Sequence, residues 1–344
     1  MKKIYVLIKL TAVIGISAAL LCSCQQKESP VSPRYDINVK VDPAAVASYP
    51  YEMNTGDLTK VETGYKIRVS LRIYDTSGFL VEKKTDYLQN YDAIGKFAFS
   101  LPSGTYTFLA TTDIVKYDGS NVTYEYWNIG NGRDSKDDQK LSELQIIDNG
   151  KIGFSGAKIL GVTSQRIVVK DSATDATINV MPAGALALVV FNNIHTYSNV
   201  KSLEVETSKL GDYLYFDNSG NSSVSFKWPE DGHYFRIDVI DVEDYSKYSM
   251  IYSYIYILPG DKYELKARYS NTEGKSGYLV NNTEIVSFKG GDEYLIWVDC
   301  KDEDTGEPLF LVDKFTNTKS LLNISPDNIY SSGYNCPILK NVQE

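Results

Sequence analysis

Hydrophobic and polar residues alternate with a period of two along much of this chain. In Lys66-Ile67-Arg68-Val69-Ser70-Leu71-Arg72-Ile73 the apolar side chains take the odd positions and the polar ones the even positions. Successive side chains on a strand point to opposite faces, so this spacing predicts a half-buried strand. Asp75-Thr76-Ser77-Gly78 supplies turn chemistry, and Phe79-Leu80-Val81 starts a return strand. Comparable runs occupy 96–101, 105–110, 166–170, 185–191, 202–206, 234–240, 252–258, 263–267 and 294–298, and no stretch carries a long, well-capped helical period. Many short strands at close spacing need a second sheet to cover their apolar faces. The predicted fold class is therefore all-β, built from sandwiches.

The beginning of the chain breaks the pattern. Lys2, Lys3 and Lys9 precede an apolar run from Leu10 to Leu20, too short and one-sided for a stable membrane span, which predicts a signal peptide over residues 1–23. The leader ends in Leu21-Cys22-Ser23-Cys24, with Leu three residues before Cys24 and a small Ser directly before it. This ending resembles a bacterial lipobox with Cys24 as the lipidated residue. Cys22 follows Leu21, where processing needs a small side chain, and so leaves with the leader. Each buried methylene of an acyl chain contributes about 0.8 kcal/mol, and several chains hold a protein stably where one does so marginally. A multiply acylated Cys24 predicts attachment to the outer membrane without a spanning segment. Gln25-Gln26-Lys27-Glu28 is similar to the short signals that route Bacteroidetes lipoproteins to the outer face of that membrane. Ser29-Pro30-Val31-Ser32-Pro33 then reads as an extended linker, giving a tether over 24–34.

The remainder of the 344 residues corresponds to two domains at about 150 residues each. An internal echo supports this division: Leu101-Pro102-Ser103-Gly104-Thr105-Tyr106 and Leu258-Pro259-Gly260-Asp261-Lys262-Tyr263 each lead through a Pro and Gly corner into a strand that opens with Tyr. The small, polar segment Asp171-Ser172-Ala173-Thr174-Asp175 places the boundary near it, with one sandwich over 35–170 and a second over 171–344.

A net charge of −9 and no concentrated basic face argue against a nucleic-acid partner. Cys300 and Cys336 remain after the leader and Cys24 are set aside, and in an oxidising envelope they form either a disulfide or two separate buried thiols. With only His195 and His233, a histidine-based metal or catalytic site is not expected. Nor is there a Gly-x-Ser-x-Gly elbow, a phosphate-cradling Gly-x-x-x-x-Gly-Lys loop or a His-Glu-x-x-His pair, so no catalytic residue, metal or cofactor is predicted. The acidic groups Asp134, Asp137, Asp138 and Asp299, Asp302, Glu303, Asp304 lack the spacing of a calcium-binding loop and read as solvated loop acids. Tyr252, Tyr254 and Tyr256 share one strand face. They would either stack on a sugar ring, making a glycan a candidate ligand, or cover a sheet edge or domain interface. Asp171-Ser172-Ala173 resembles a Bacteroidetes O-glycosylation acceptor, with Ser172 as the modified residue.

Taken together, the lipobox at Cys24, the strand and turn from Ile67 to Gly78, the segment Leu101 to Ala110 and the run Ile178 to Val190 resemble the fimbrillin-associated anchor lipoproteins of Bacteroidetes, which sit at the base of fimbriae. The resemblance implies two tandem transthyretin-like sandwiches and a structural, non-enzymatic role among other fimbrial subunits. In such fimbriae a protease removes an N-terminal strand from stalk subunits, and a strand from a neighbour fills the groove. An anchor that keeps its first strand would end growth at the membrane. Here Arg34 precedes the strand-like Tyr35 to Val41, so cleavage after Arg34 would release the sandwich from its lipid without removing a strand. The same sandwiches and lipobox also suit a lipid-anchored glycan-binding protein of a polysaccharide uptake system.

Overall fold

A computed structural model describes residues 32–47, 64–130, 138–148, 159–194, 200–207, 211–226, 233–238, 250–280, 283–300, 307–314 and 329–331. Strands dominate them, as the alternation predicts.

The first sandwich pairs a three-stranded sheet with a five-stranded one. In the smaller sheet β1 (Arg34–Asp42) lies between β10 (Thr174–Asn179) and β4 (Gly95–Pro102), parallel to the former and antiparallel to the latter. The larger sheet runs β3 (Leu80–Leu88), β2 (Tyr65–Tyr74), β5 (Gly104–Tyr117), with β6 (Val122–Glu125) and β9 (Gly161–Val169) sharing the far side of β5. Their facing apolar side chains form one core: Ile37, Val39 and Val41 from β1 and Phe97 and Phe99 from β4 meet Ile67, Val69, Leu71 and Ile73 from β2.

The second sandwich joins the sheet β21 (Leu309–Lys314), β20 (Glu293–Asp299), β11 (Ala185–Asn192), β16 (Met250–Ile257), β22 (Ile329–Ser331) to a sheet of β15 (His233–Asp238), β12 (Val200–Thr207), β17 (Gly260–Asn271) and β18 (Ser276–Tyr278), with β19 (Glu284–Phe288) also on β17. The apolar run of β11 is buried on both faces. Ala185, Ala187, Val189 and Phe191 fill the second core, while Leu186, Leu188 and Val190 belong to the first. A continuous apolar strand is what burial on both sides demands.

Two features depart from the sequence-based expectation. The proposed division between residues 170 and 171 falls between β9 and β10, yet both strands belong to the first sandwich, because β10 pairs with β1 from Ile37↔Thr174 to Asp42↔Asn179. The polar segment there is a turn within a domain, and the chain reaches the second sandwich only after residue 180. The even face of β2 is also not solvated. A third layer covers it: β7 (Trp127–Gly130) and β8 (Gln145–Asp148) from the first half pair onward with β13 (Gly211–Phe216) and β14 (Ser222–Phe226) from the second. Tyr74, Leu109, Trp127, Ile146, Leu214 and Phe216 fill the space beneath.

Candidate functional site

The residue pattern of β1 explains its position. Ile37, Val39 and Val41 alternate inward and are essentially solvent-free, while Asp36, Asn38 and Lys40 face out. Eight register pairs join β1 to β4, from Arg34↔Pro102 to Val41↔Gly95, and six join it to β10. Side chains reinforce both flanks: Asn38 Nδ2 donates to Asp175 Oδ1 at 3.0 Å, and the Arg34 guanidinium donates to the Ser100 carbonyl. From the facing sheet, Lys84 of β3 donates to the Ala98 carbonyl of β4 and lies 4.6 Å from the Phe99 ring centroid, tying the edges of the two sheets together. Arg34, which the sequence places just ahead of the first strand, is the first residue of that strand. Asn38, Lys40, Lys96, Asp175 and Thr177 line a shallow outward recess of ≈ 400 Å³.

The tyrosine face has a different use from sugar stacking at the position where its side chain is described. Register places Tyr252, Tyr254 and Tyr256 opposite Val190, Leu188 and Leu186, on the β11 face that joins the first core. Tyr256 donates its hydroxyl to the Leu160 carbonyl at 2.8 Å, accepts the Gly184 N–H, and sets its ring edge-on to Trp127 with centroids 6.0 Å apart. Burial pushes its hydroxyl pKa up, against backbone hydrogen bonds that pull it down. It is a part-buried junction pin between the halves, its hydroxyl committed to backbone groups of residues 160 and 184. The side chains of Tyr252 and Tyr254 lie outside the described residues.

Ser172 is exposed in the bend between β9 and β10, as an acceptor must be. Cys24, its leader and most of the tether lie outside the described residues, and so does Cys336. Cys300 is buried, which raises its thiol pKa to about 12. Among the described residues no group of three or more His, Cys, Asp or Glu side chains could hold a metal, and no helix is long and apolar enough to cross a membrane.

Two acids read as solvated are buried instead. Asp138 receives Arg72 Nε and Lys83 Nζ, each at 2.8 Å, beneath the third layer. Asp299 receives the side-chain amides of Asn192 and Asn193, each at 2.9 Å. A second, partly buried cluster sits on the same face of β2, where Arg68 grips the buried Asp113 with two hydrogen bonds of 2.8 and 2.7 Å and reaches Glu125 at 2.7 Å. Burial by itself lowers the Arg68 pKa, but the two carboxylates outweigh it and hold the guanidinium charged. The alternation gave the spacing of these charges, but their carboxylate partners come from strands and loops distant in sequence.

No protein-family model matches the chain, and neither does any curated protein. Among solved structures, it is similar to the fimbrial anchor protein Mfa2 of Porphyromonas gingivalis, at 11% identity and a TM-score of 0.46, over 82% of this chain and 97% of that one. It is similar to the tip fimbrial protein Mfa3 of the same organism, in a form with a C-terminal truncation, at 9% identity and a TM-score of 0.43, over 82% of this chain and 100% of that one. A third likeness is to a fimbrial assembly protein of Parabacteroides distasonis, at 11% identity and a TM-score of 0.39, over 82% of this chain and 96% of that one. In these comparisons the chain resembles fimbrial anchor, tip and assembly proteins along nearly their whole lengths.

Proposed function

We propose that this protein is a lipid-anchored surface protein of the outer membrane that serves as an anchor or accessory subunit of a fimbria. Its role is structural and non-enzymatic, and it meets neighbouring subunits through β-strand contacts.

The observation that carries this reading is the seating of β1. A subunit that receives a neighbour's strand needs an open slot with unpaired backbone groups on its flanks. In this chain the first strand occupies the middle of its sheet, paired on both sides. Among the described strands the central position of this sheet is thus filled by the molecule's own β1, which suits a subunit at the end of an assembly. Cleavage after Arg34 would cut the tether while leaving Tyr35 to Asp42 in place.

The test is recovery of partners from intact cells by mild cross-linking and pull-down. Fimbrial subunits in the recovered material support the reading, and their absence ends it. Lipid anchoring is tested separately: a Cys24→Ala protein should lose its acyl label and leave the membrane fraction. The glycan-binding alternative draws no support from Tyr256, whose ring and hydroxyl are committed to the junction.

A further inference from the structure

Force on a surface protein enters and leaves through particular strands, and the topology here specifies how. β1 and β10 run parallel, so the N-terminal end of β1 and the C-terminal end of β10 lie at opposite ends of their shared ladder. The tether joins the first of these ends. The second end continues through residues 180–184 directly into β11 and the second sandwich. A pull between the two therefore runs along the strand axis.

We infer that β1 is a mechanical clamp, held in shear between β10 and β4 whenever the N-terminal tether and the second sandwich are drawn apart. In shear every ladder bond resists at once, whereas opening a ladder from one end breaks its bonds one pair at a time. The six pairs to β10 and the eight to β4 share the load, and β1 cannot slide without withdrawing Ile37, Val39 and Val41 from the core. Asn38 to Asp175 adds a side-chain tie across the parallel pair. Forced unfolding is governed by the barrier to leaving the native state, so the clamp sets a lifetime under load.

The use of this clamp at a membrane rests on the anchor reading, but its mechanics do not. Both exits from β10 are available for attachment: Met181, 50% exposed, lies just past the C-terminal end, and Ser172 is exposed just before the N-terminal end. Single-molecule pulling on the full chain from Gln25 to Glu344 would use a fixed handle at the N-terminus and a second at Met181→Cys or Ser172→Cys, with Cys336→Ser in both. The first pair loads β1 in shear, and the second peels it from β10. At equal pulling rate the Met181 handle should give a rupture force at least threefold above the Ser172 handle. Equal forces, or a higher force at Ser172, overturn the clamp. Should either handle lower the melting temperature, the exposed neighbours Asn179 and Asp171 provide the same two geometries. Failure of Cys24→Ala to leave the membrane would end the lipid-anchor reading without touching this measurement.

Discussion

The Tyr263 hydroxyl donates to the Leu258 carbonyl at 2.9 Å, closing a corner from five residues back. Tyr106 closes a similar corner in the first half from four residues back, donating to the Pro102 carbonyl at 3.1 Å. In each corner a glycine lies under the ring: a Cβ on Gly260 would meet the Tyr263 ring at 2.7 Å, and one on Gly104 would meet Tyr106 at 3.3 Å. The echo read in the sequence is thus a tyrosine-closed turn in both halves, one residue shorter in the first. Tyr263→Phe should destabilise by about 1–3 kcal/mol, because the buried carbonyl loses its partner. Tyr106 is nearer solvent, so Tyr106→Phe should cost less. Urea midpoints of the two variants check the order.

Asp138 should govern part of the acid sensitivity. Burial pushes its carboxyl pKa up, but the hydrogen bonds and charges of Lys83 and Arg72 outweigh that and hold it below the ordinary value. A depressed carboxyl contributes stability above the unfolded value, near about 3.9, and loses it as pH falls through the lower folded value. Asp138→Asn should cost about 3–5 kcal/mol at pH 7, since it leaves the buried Arg72 without its counter-charge. That deficit should narrow as pH falls below the unfolded value and through the lower folded one, where the wild-type carboxylate is protonated. Denaturant titrations above and below those values measure the gap. A deficit independent of pH would contradict the ion-pair account.

Strand positions were legible because the period-two signal is local. The runs beginning near Lys66, Lys96, Thr105, Ala185 and Tyr263 all lie in strands. The third layer was not legible. Its β13 reads Gly-Asp-Tyr-Leu-Tyr-Phe, where aromatic residues fall on both faces and blur the alternation. Its partner β8 lies in the other half of the chain, and no local pattern names a partner at that separation. The charges on β2 misled for the same reason. An alternating Arg looks solvated until the carboxylate that neutralises it is brought over it by the fold. Composition also misplaced the domain boundary, since small polar residues mark exposure and Asp171 to Ala173 are exposed in a turn within one sheet pair.

Gly184 and Tyr256 make the junction between the halves intolerant of substitution. A Cβ on Gly184 would stand 2.6 Å from the Ile257 carbonyl oxygen and 2.7 Å from the Tyr256 ring. The first contact is backbone and cannot rotate away, so Gly184→Ala should cost about 1–3 kcal/mol through overpacking. Tyr256→Phe keeps the ring but takes the acceptor from the Gly184 N–H, while the Leu160 carbonyl still accepts the Ala183 N–H at 2.8 Å, and should destabilise by about 1–3 kcal/mol. Urea midpoints of both variants measure the losses, and a Tyr256→Phe protein as stable as the wild type would contradict the pinning role.

Cys300 should be chemically silent in the folded protein. Its thiol is buried, and burial followed by the charge of Asp299 lifts its pKa to about 12, so little thiolate exists at pH 8. In a Cys336→Ser background, iodoacetamide at pH 8 should leave Cys300 unmodified over the time in which an exposed thiol reacts fully. Adding denaturant should bring its reactivity to the ordinary level. The mass of the intact chain reports both states.

Leu214 tests whether the halves fold as one body. It belongs to the second half by sequence, yet it packs with Tyr74, Leu109, Trp127 and Ile146 of the first, and its strand pairs with β8 through Leu214↔Ile146. Leu214→Ala should cost about 2–5 kcal/mol, the range for removing a buried leucine side chain. If the third layer couples the sandwiches, that loss should appear in both halves. Amide exchange should speed up in β2 and β5, remote in sequence, as well as in β13. Exchange that changes in β13 and β14 alone would mean the hairpin rests on the first sandwich without sharing its stability.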